Sequence, residues 1–312
     1  MTQCTIGVDI SKAFFDVHRS TDDTSERFTN DKKGHKAFIR WLRGVDVERI
    51  VYEPTGKYHL GFERAMDDAG FSLCRVNPLN ARNFARALGV YAKNDRVDAR
   101  MLARMGQALK LEPCLIANQT MRDLKALQIA RQALIKDHTA AKNRAKFLPL
   151  SLLKRQNTSR LRQIRKDMKA IEQAMLAIIS GDETLARMFQ ILCSIPGISK
   201  ITACALIVEI PELGAVQAKQ AASLAGLPPF VRQSGQWKGK SFIGAGRKFL
   251  REALYMPALV AARFNPDMKE IYQRLIAKGK PRKLAITAIM RKLIILANTL
   301  IKEDRIWTQK TT

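Results

Sequence analysis

Four carboxylates near the start of the chain, Asp9, Glu53, Asp95 and Asp98, have the types and settings for chemistry. Asp9 closes the run TIGVD and Glu53 closes RIVYE, just ahead of Pro54-Thr55-Gly56. Both runs are β-branched and bounded by turn formers, so each reads as a strand ending in an acid. In an α/β sheet such strand ends face the ligand crevice. Asp95 and Asp98 lie three residues apart in KNDRVDAR, which puts them on one face at a helix start. Four anions in one pocket repel one another unless a cation that prefers hard oxygen ligands, such as Mg²⁺, sits among them. Two such ions would clamp the attacking and leaving oxygens of a phosphodiester. The plainer reading makes these acids turn formers and helix caps. Asp16 and Glu63 are alternative members of the set.

Ser234 is the second candidate. It precedes Gly235 in the segment 226–251, GLPPFVRQSGQWKGKSFIGAGRKFLR, among Arg232, Lys238, Lys240, Arg247 and Lys248, with Trp237 between them. A basic loop carrying an aromatic suits a nucleic-acid backbone. A serine hydroxyl is a poor nucleophile without a base, a metal or nearby cations. All four histidines, His18, His35, His59 and His138, precede this region, so no histidine-dependent triad is at hand. Ser234 as a simple turn former is the competing reading, and Ser241 is its nearest rival. Upstream, LCSIPGISKITACALIVEI (192–210) has a helix, a Pro-Gly turn and a second helix. It is either a helix-hairpin-helix whose turn amides hold a phosphate, with Ser199 in place of its second glycine, or an ordinary helical hairpin.

The elements that must position these residues change character along the chain. Residues 5–9 and 13–18 read as a strand hairpin, 34–43 as a helix, 49–53 as a strand, 57–69 as a helix and 71–76 as a strand, with helices beyond Pro78. That alternation predicts an α/β domain with a largely parallel sheet. From about residue 114 the strand signals stop. Leu161, Ile164, Met168, Ile171, Met175 and Ile178 form a heptad seam, preceded by a looser apolar series from Leu124 to Leu148. An antiparallel hairpin or a dimerising coiled coil fits both. Residues 183–312 read as a helical domain interrupted by the glycine-rich stretch. The division is therefore 1–112, 113–182 and 183–312, an α/β domain followed by all-α segments.

Charge follows the same division. The net charge is +26, and the acids gather at the front: 19 basic and 15 acidic side chains in 1–112, 14 and 5 in 113–182, 21 and 8 in 183–312. So large a surplus is the footprint of a phosphate-binding protein, and a hydrophobic share of 46% argues for a folded body over a basic tail. The five cysteines have no zinc-type spacing and read as reduced structural thiols in a cytosolic protein. Residues 1–20 show no leader pattern, and Arg291 and Lys292 break the apolar run 284–301, so no membrane partner is expected.

Taken in order, IGVDISK (6–12), YEPTG (52–56), KNDRVDAR (93–100), SIPGISKITA (194–203) and AGLPP…QSGQWKGK…GAGRKFLREALYMPAL (225–259) resemble the DEDD transposases of the "one-ten" insertion-sequence family, a group that includes relatives of the Piv invertase. The resemblance runs from about residue 5 to residue 300. It implies a RuvC-like, ribonuclease-H-type N-terminal domain, a coiled-coil linker and a C-terminal transposase domain. It further implies that Asp9, Glu53, Asp95 and Asp98 bind the metal and that Ser234 forms a covalent phosphoserine link to DNA. A structured bridge RNA would guide the enzyme by pairing with donor and target DNA. Strand exchange between two DNA segments leads us to expect a homodimer or homotetramer, assembled partly through the 161–178 seam, and a composite site with the acids from one subunit and Ser234 from another fits that expectation. A RuvC-like junction nuclease that uses metal-activated water is the rival reading.

Overall fold

The computed structural model describes residues 3–90, 94–114, 116–231, 233–234, 237–239 and 241–309, with only the backbone of Gln233, Trp237 and Lys238. The chain divides into two compact units, Met1–Ala117 and Asn118–Thr312.

The first unit holds a five-stranded sheet of β1 (Cys4–Ile10), β2 (Phe14–Arg19), β3 (Thr24–Thr29), β4 (Val47–Glu53) and β5 (Leu73–Arg75), in the order β3-β2-β1-β4-β5. β1 runs parallel to β4, and β4 to β5, whereas β1-β2 and β2-β3 are antiparallel. The expectation of a largely parallel sheet is corrected here. The two turns joining β1, β2 and β3 are too short for the helical crossover that a parallel pair requires, so half the sheet is a meander.

Strand alternation sorts the sheet into two faces. Cys4, Ile6, Val8 and Ile10 of β1 join Phe15, Val17, Ile50 and Tyr52 in a core closed by Phe38 of α1 (Lys32–Trp41) and by Phe62 and Met66 of α2 (His59–Asp68). The other face carries Val51 and Cys74, which pack with Leu102 and Met105 of α4 (Asp95–Ala108), while α3 (Pro78–Ala87) lies beside α4. Small residues let α4 come close. A Cβ on Gly7 would stand 1.9 Å from the Ala99 carbonyl oxygen, and one on Gly106 would meet Thr5 and Val51 side chains at 2.6 Å.

The second unit opens with α5 (Gln119–Ala145) and α6 (Ser151–Ser180). Arg131 pairs with Glu172 at 2.8 Å, and Asn157 donates to the Ala141 carbonyl at 3.0 Å. Late α5 thus meets early α6, and the two helices form an antiparallel hairpin within one chain. Ile164 and Met175 of the heptad seam are 7% and 1% exposed and so are covered by their own chain, while Leu161, Met168, Ile171 and Ile178 are half-buried. Leu124, Met175 and Ile179 share one core with the helices that follow.

Those helices are α7 (Glu183–Ser194), α8 (Lys200–Glu209), α9 (Ala218–Leu224), α10 (Lys248–Phe264), α11 (Pro266–Ala277) and α12 (Arg282–Lys302). α12 is long and apolar enough to cross a membrane, but 50% of its apolar window is buried, with Ile286, Ile289, Leu293, Ile294 and Ala297 in the core. Between α9 and α10 the expected loop is a ribbon. β6 (Pro229–Phe230) pairs with β9 (Phe242–Ile243), and β7 (Gln233–Ser234) pairs with β8 (Trp237–Lys238), both antiparallel.

Candidate active site

Asp9 and Glu53 occupy facing register positions at the carboxyl ends of β1 and β4. Residues opposite one another on adjacent strands point to the same face, and here that face is the one α4 covers. Asn94 caps α4 by accepting from the Arg96 N–H at 3.1 Å, which places Asp95 and Asp98 in its first turn. Two carboxylates there also suit the positive end of the helix dipole. Gly7 sits two residues before Asp9, and the close crossing it permits brings the start of α4 to the strand ends.

The result is a cleft of about 710 Å³ lined by Asp9, Glu53, Asp95 and Asp98, with Lys12 and Arg82 also on its walls. The Asp9 carboxyl is pushed up to about 6, first by burial and then by the charges of Asp98, Asp95, Glu53 and Asp16. Each of those charges disfavours the ionised form of Asp9, and a cation among them would reverse that effect. As a donor set, four carboxylates without thiol or imidazole fit a hard divalent ion such as Mg²⁺. Among the described residues no three His, Cys, Asp or Glu side chains already stand close enough to hold one ion.

The alternative acids lie elsewhere. Glu63 is on the opposite side of the sheet, bound by the Tyr52 hydroxyl and by Arg75 at 2.6 Å, with His59 at 3.7 Å. Asp16 faces Asp9 across β1 and β2 but is engaged by Arg27, whose Nε and Nη2 donate at 3.0 and 2.9 Å. Arg27 carries no motif or spacing signal in the sequence. Only the register of β3, which seats it opposite Asp16, reveals it.

Ser234 is exposed on β7, opposite Trp237 of β8. Its ribbon rises from a narrow neck. Gly226 and Gly246 have φ of +63° and +61°, and a Cβ on Gly246 would fall 2.3 Å from the Gly226 nitrogen. Arg251 braces the neck by donating to the Ala245 carbonyl at 2.8 Å. Arg247 stands at the N-cap position of α10 without a side-chain cap bond, and its guanidinium is held by Glu212 at 2.6 and 2.8 Å. Lys248 is exposed, 3.8 Å from Glu252. Arg232 and Lys240 lie outside the described residues, as do the side chains of Trp237 and Lys238. In the helical hairpin upstream, Ser199 caps α8 by accepting from the Thr202 N–H at 3.2 Å. Gly197 admits the Pro257 carbonyl oxygen, which would lie 2.9 Å from a Cβ at that position.

The cleft lined by carboxylates on a mixed sheet and the serine on a short ribbon of the second unit are the two candidate features, and comparison with known proteins gives the class. Residues 6–172 match the model of the DEDD transposase domain, and residues 189–273 match the model described as transposase of the IS116/IS110/IS902 family. The chain belongs to this IS110-type transposase family, a family of DNA-recombination enzymes. It is 31% identical to the pilin gene-inverting protein of Moraxella lacunata over 317 residues, covering 98% of both chains. Its identity to the pilin gene-inverting protein of Moraxella bovis is 30%, again over 98% of both. A solved T. thermophilus RuvC chain, in complex with a Holliday junction substrate, matches 36% of this chain and 100% of its own with a TM-score of 0.29 and 11% identity.

Proposed function

We propose that this protein is an RNA-guided, site-specific DNA recombinase that mobilises an insertion sequence and works through a covalent phosphoserine intermediate. The observation that carries this reading is the convergence of Asp9, Glu53, Asp95 and Asp98 on one cleft. The two Moraxella relatives are gene-inverting proteins, which supports site-specific rearrangement of DNA.

Asp9, Glu53, Asp95 and Asp98 would hold Mg²⁺, which when bound supplies Lewis-acid stabilisation of charge on phosphate oxygens. The Ser234 hydroxyl attacks phosphorus, a phosphoserine ester forms, and a 3′-hydroxyl end leaves. That hydroxyl, or its counterpart on another strand, later attacks the phosphoserine and restores the serine. Each step breaks one P–O ester bond and forms another, so no ATP is needed. Trp237 and the cations Arg232, Lys238, Lys240, Arg247 and Lys248 contribute to binding donor DNA, target DNA and bridge RNA. Guidance by RNA is supported by the resemblance of the ordered motifs and by the surplus of 21 basic over 8 acidic side chains in 183–312. Exchange between two DNA segments favours a homodimer or homotetramer, acting in the bacterial cytoplasm where both nucleic acids are found.

A second reading, a metal-dependent junction nuclease that uses water, draws on the fact that all four acids lie in the first unit and Ser234 does not. Incubating DNA, co-purified RNA and Mg²⁺ with the parent, Asp98→Asn and Ser234→Ala proteins tests the proposal on a denaturing gel. Cutting by the parent, with protein attached to the cut ends, and by neither variant is the expected outcome. Undiminished cutting by Ser234→Ala supports the nuclease.

A further inference from the structure

Arg27 on β3 faces Asp16 on β2, Asp16 faces Asp9 on β1, and Asp9 faces Glu53 on β4. Facing residues share a side of the sheet, so one row across four strands carries a cation followed by three carboxylates. Arg27 grips Asp16 at two points, Nε to Oδ1 at 3.0 Å and Nη2 to Oδ2 at 2.9 Å. The same Nη2 also donates to Asp95 Oδ2 at 3.2 Å.

The two contacts are unequal. The Asp16 side chain is 5% exposed and takes both arms of the guanidinium fork, so its loss would strand a buried charge. The Asp95 side chain is 61% exposed and takes one shared N–H, which makes it the contact that yields. A cation anchored firmly on one side and lightly on the other is suited to releasing Asp95 while staying in place.

We propose that Arg27, anchored on Asp16, is a latch that holds Asp95 while the cleft lacks a divalent ion and releases it when one enters. The inference rests on the reading of the cleft as a cation site. An incoming ion and the guanidinium carry like charge and seek the same carboxylate, so the affinity for the ion is set against the strength of the latch. Arg27 is thus a positioning residue for Asp95.

The test is a Mn²⁺ titration of the full-length protein, followed by electron paramagnetic resonance of the free ion. Replacing Asp16→Asn and Arg27→Gln together removes equal and opposite charges and leaves no buried carboxylate unpaired. The double variant is expected to bind Mn²⁺ roughly twofold to fivefold more tightly than the parent, the range a half-exposed ion pair can supply. Arg27→Lys, which keeps the charge but loses the fork, guards against a folding defect and should tighten binding by a smaller factor. Parent-like or weaker binding in both, with Asp9→Asn abolishing it, overturns the latch and leaves the cation site standing. A melting temperature that falls without tighter binding marks a merely structural pair and overturns the latch equally. If the parent binds no Mn²⁺, or Asp9→Asn binds as the parent does, the cation site falls and the latch with it.

Discussion

The Cα of Gly7 lies so near the backbone of Ala99 that a Cβ there would stand 1.9 Å from the Ala99 carbonyl oxygen and 2.4 Å from the Ala103 nitrogen. Neither obstacle is the movable end of a side chain. The crossing of β1 and α4 therefore depends on glycine at position 7, and that crossing carries Asp95 and Asp98 to Asp9.

Gly7→Ala should push α4 off the sheet. Overpacking of this kind costs about 1–3 kcal/mol, and the displaced helix takes two of the four acids with it. We expect a lower melting temperature and a loss of Mn²⁺ binding. The control is Gly44→Ala, where φ is +77° but nothing lies within 4 Å, so the strain is local to its turn. It should lower the melting temperature without weakening Mn²⁺ binding.

The raised Asp9 carboxyl gives a pH dependence with a defined sign. In the unfolded chain this group ionises near 3.8, in the folded, metal-free chain near 6. Between those values the folded state retains a proton that the unfolded state has lost, so the Asp9 contribution to stability falls as pH rises from about 4 to about 6. Asp9→Asn removes that fall. Differential scanning fluorimetry in chelator should find the variant melting above the parent at pH 8, with the gap closing towards pH 4.

The neck of the serine ribbon is a second place where backbone meets backbone. Gly246→Ala would set a Cβ 2.3 Å from the Gly226 nitrogen at a φ of +61°, costing about 1–3 kcal/mol in strain and displacement. Leu250, Leu254 and Ala258 of α10 remain in the helical core, so the second unit should still fold. Limited proteolysis is expected to cut faster within 227–245, and strand exchange should fall as far as it does in Ser234→Ala.

Much of this was legible in the sequence, for local reasons. Asp9 and Glu53 announced themselves because strand ends are marked by β-branched runs and turn formers, and Asp95 and Asp98 because two acids three residues apart suit the first turn of a helix. The heptad seam stood out as a period, although a period alone does not say whether the partner helix is in the same chain. What stayed hidden depends on register and crossing. β3, TSERFT, is a polar edge strand with little apolar alternation, so neither the strand nor the row from Arg27 to Glu53 could be read. The ribbon strands are two residues long, below any periodicity, and the meeting of Gly226 with Gly246 joins positions that local spacing does not connect.

Covalent linkage of Ser234 to DNA, in a reaction that needs the four acids, is what separates the proposed recombinase from a nuclease. Its most direct test is mass spectrometry of peptides from protein trapped on DNA under denaturing conditions in Mg²⁺. A nucleotide joined through phosphate to the peptide containing Ser234 is expected in the parent and not in Asp9→Asn or Asp98→Asn. Cut DNA with free 5′-phosphate ends and an unmodified Ser234 peptide would contradict it.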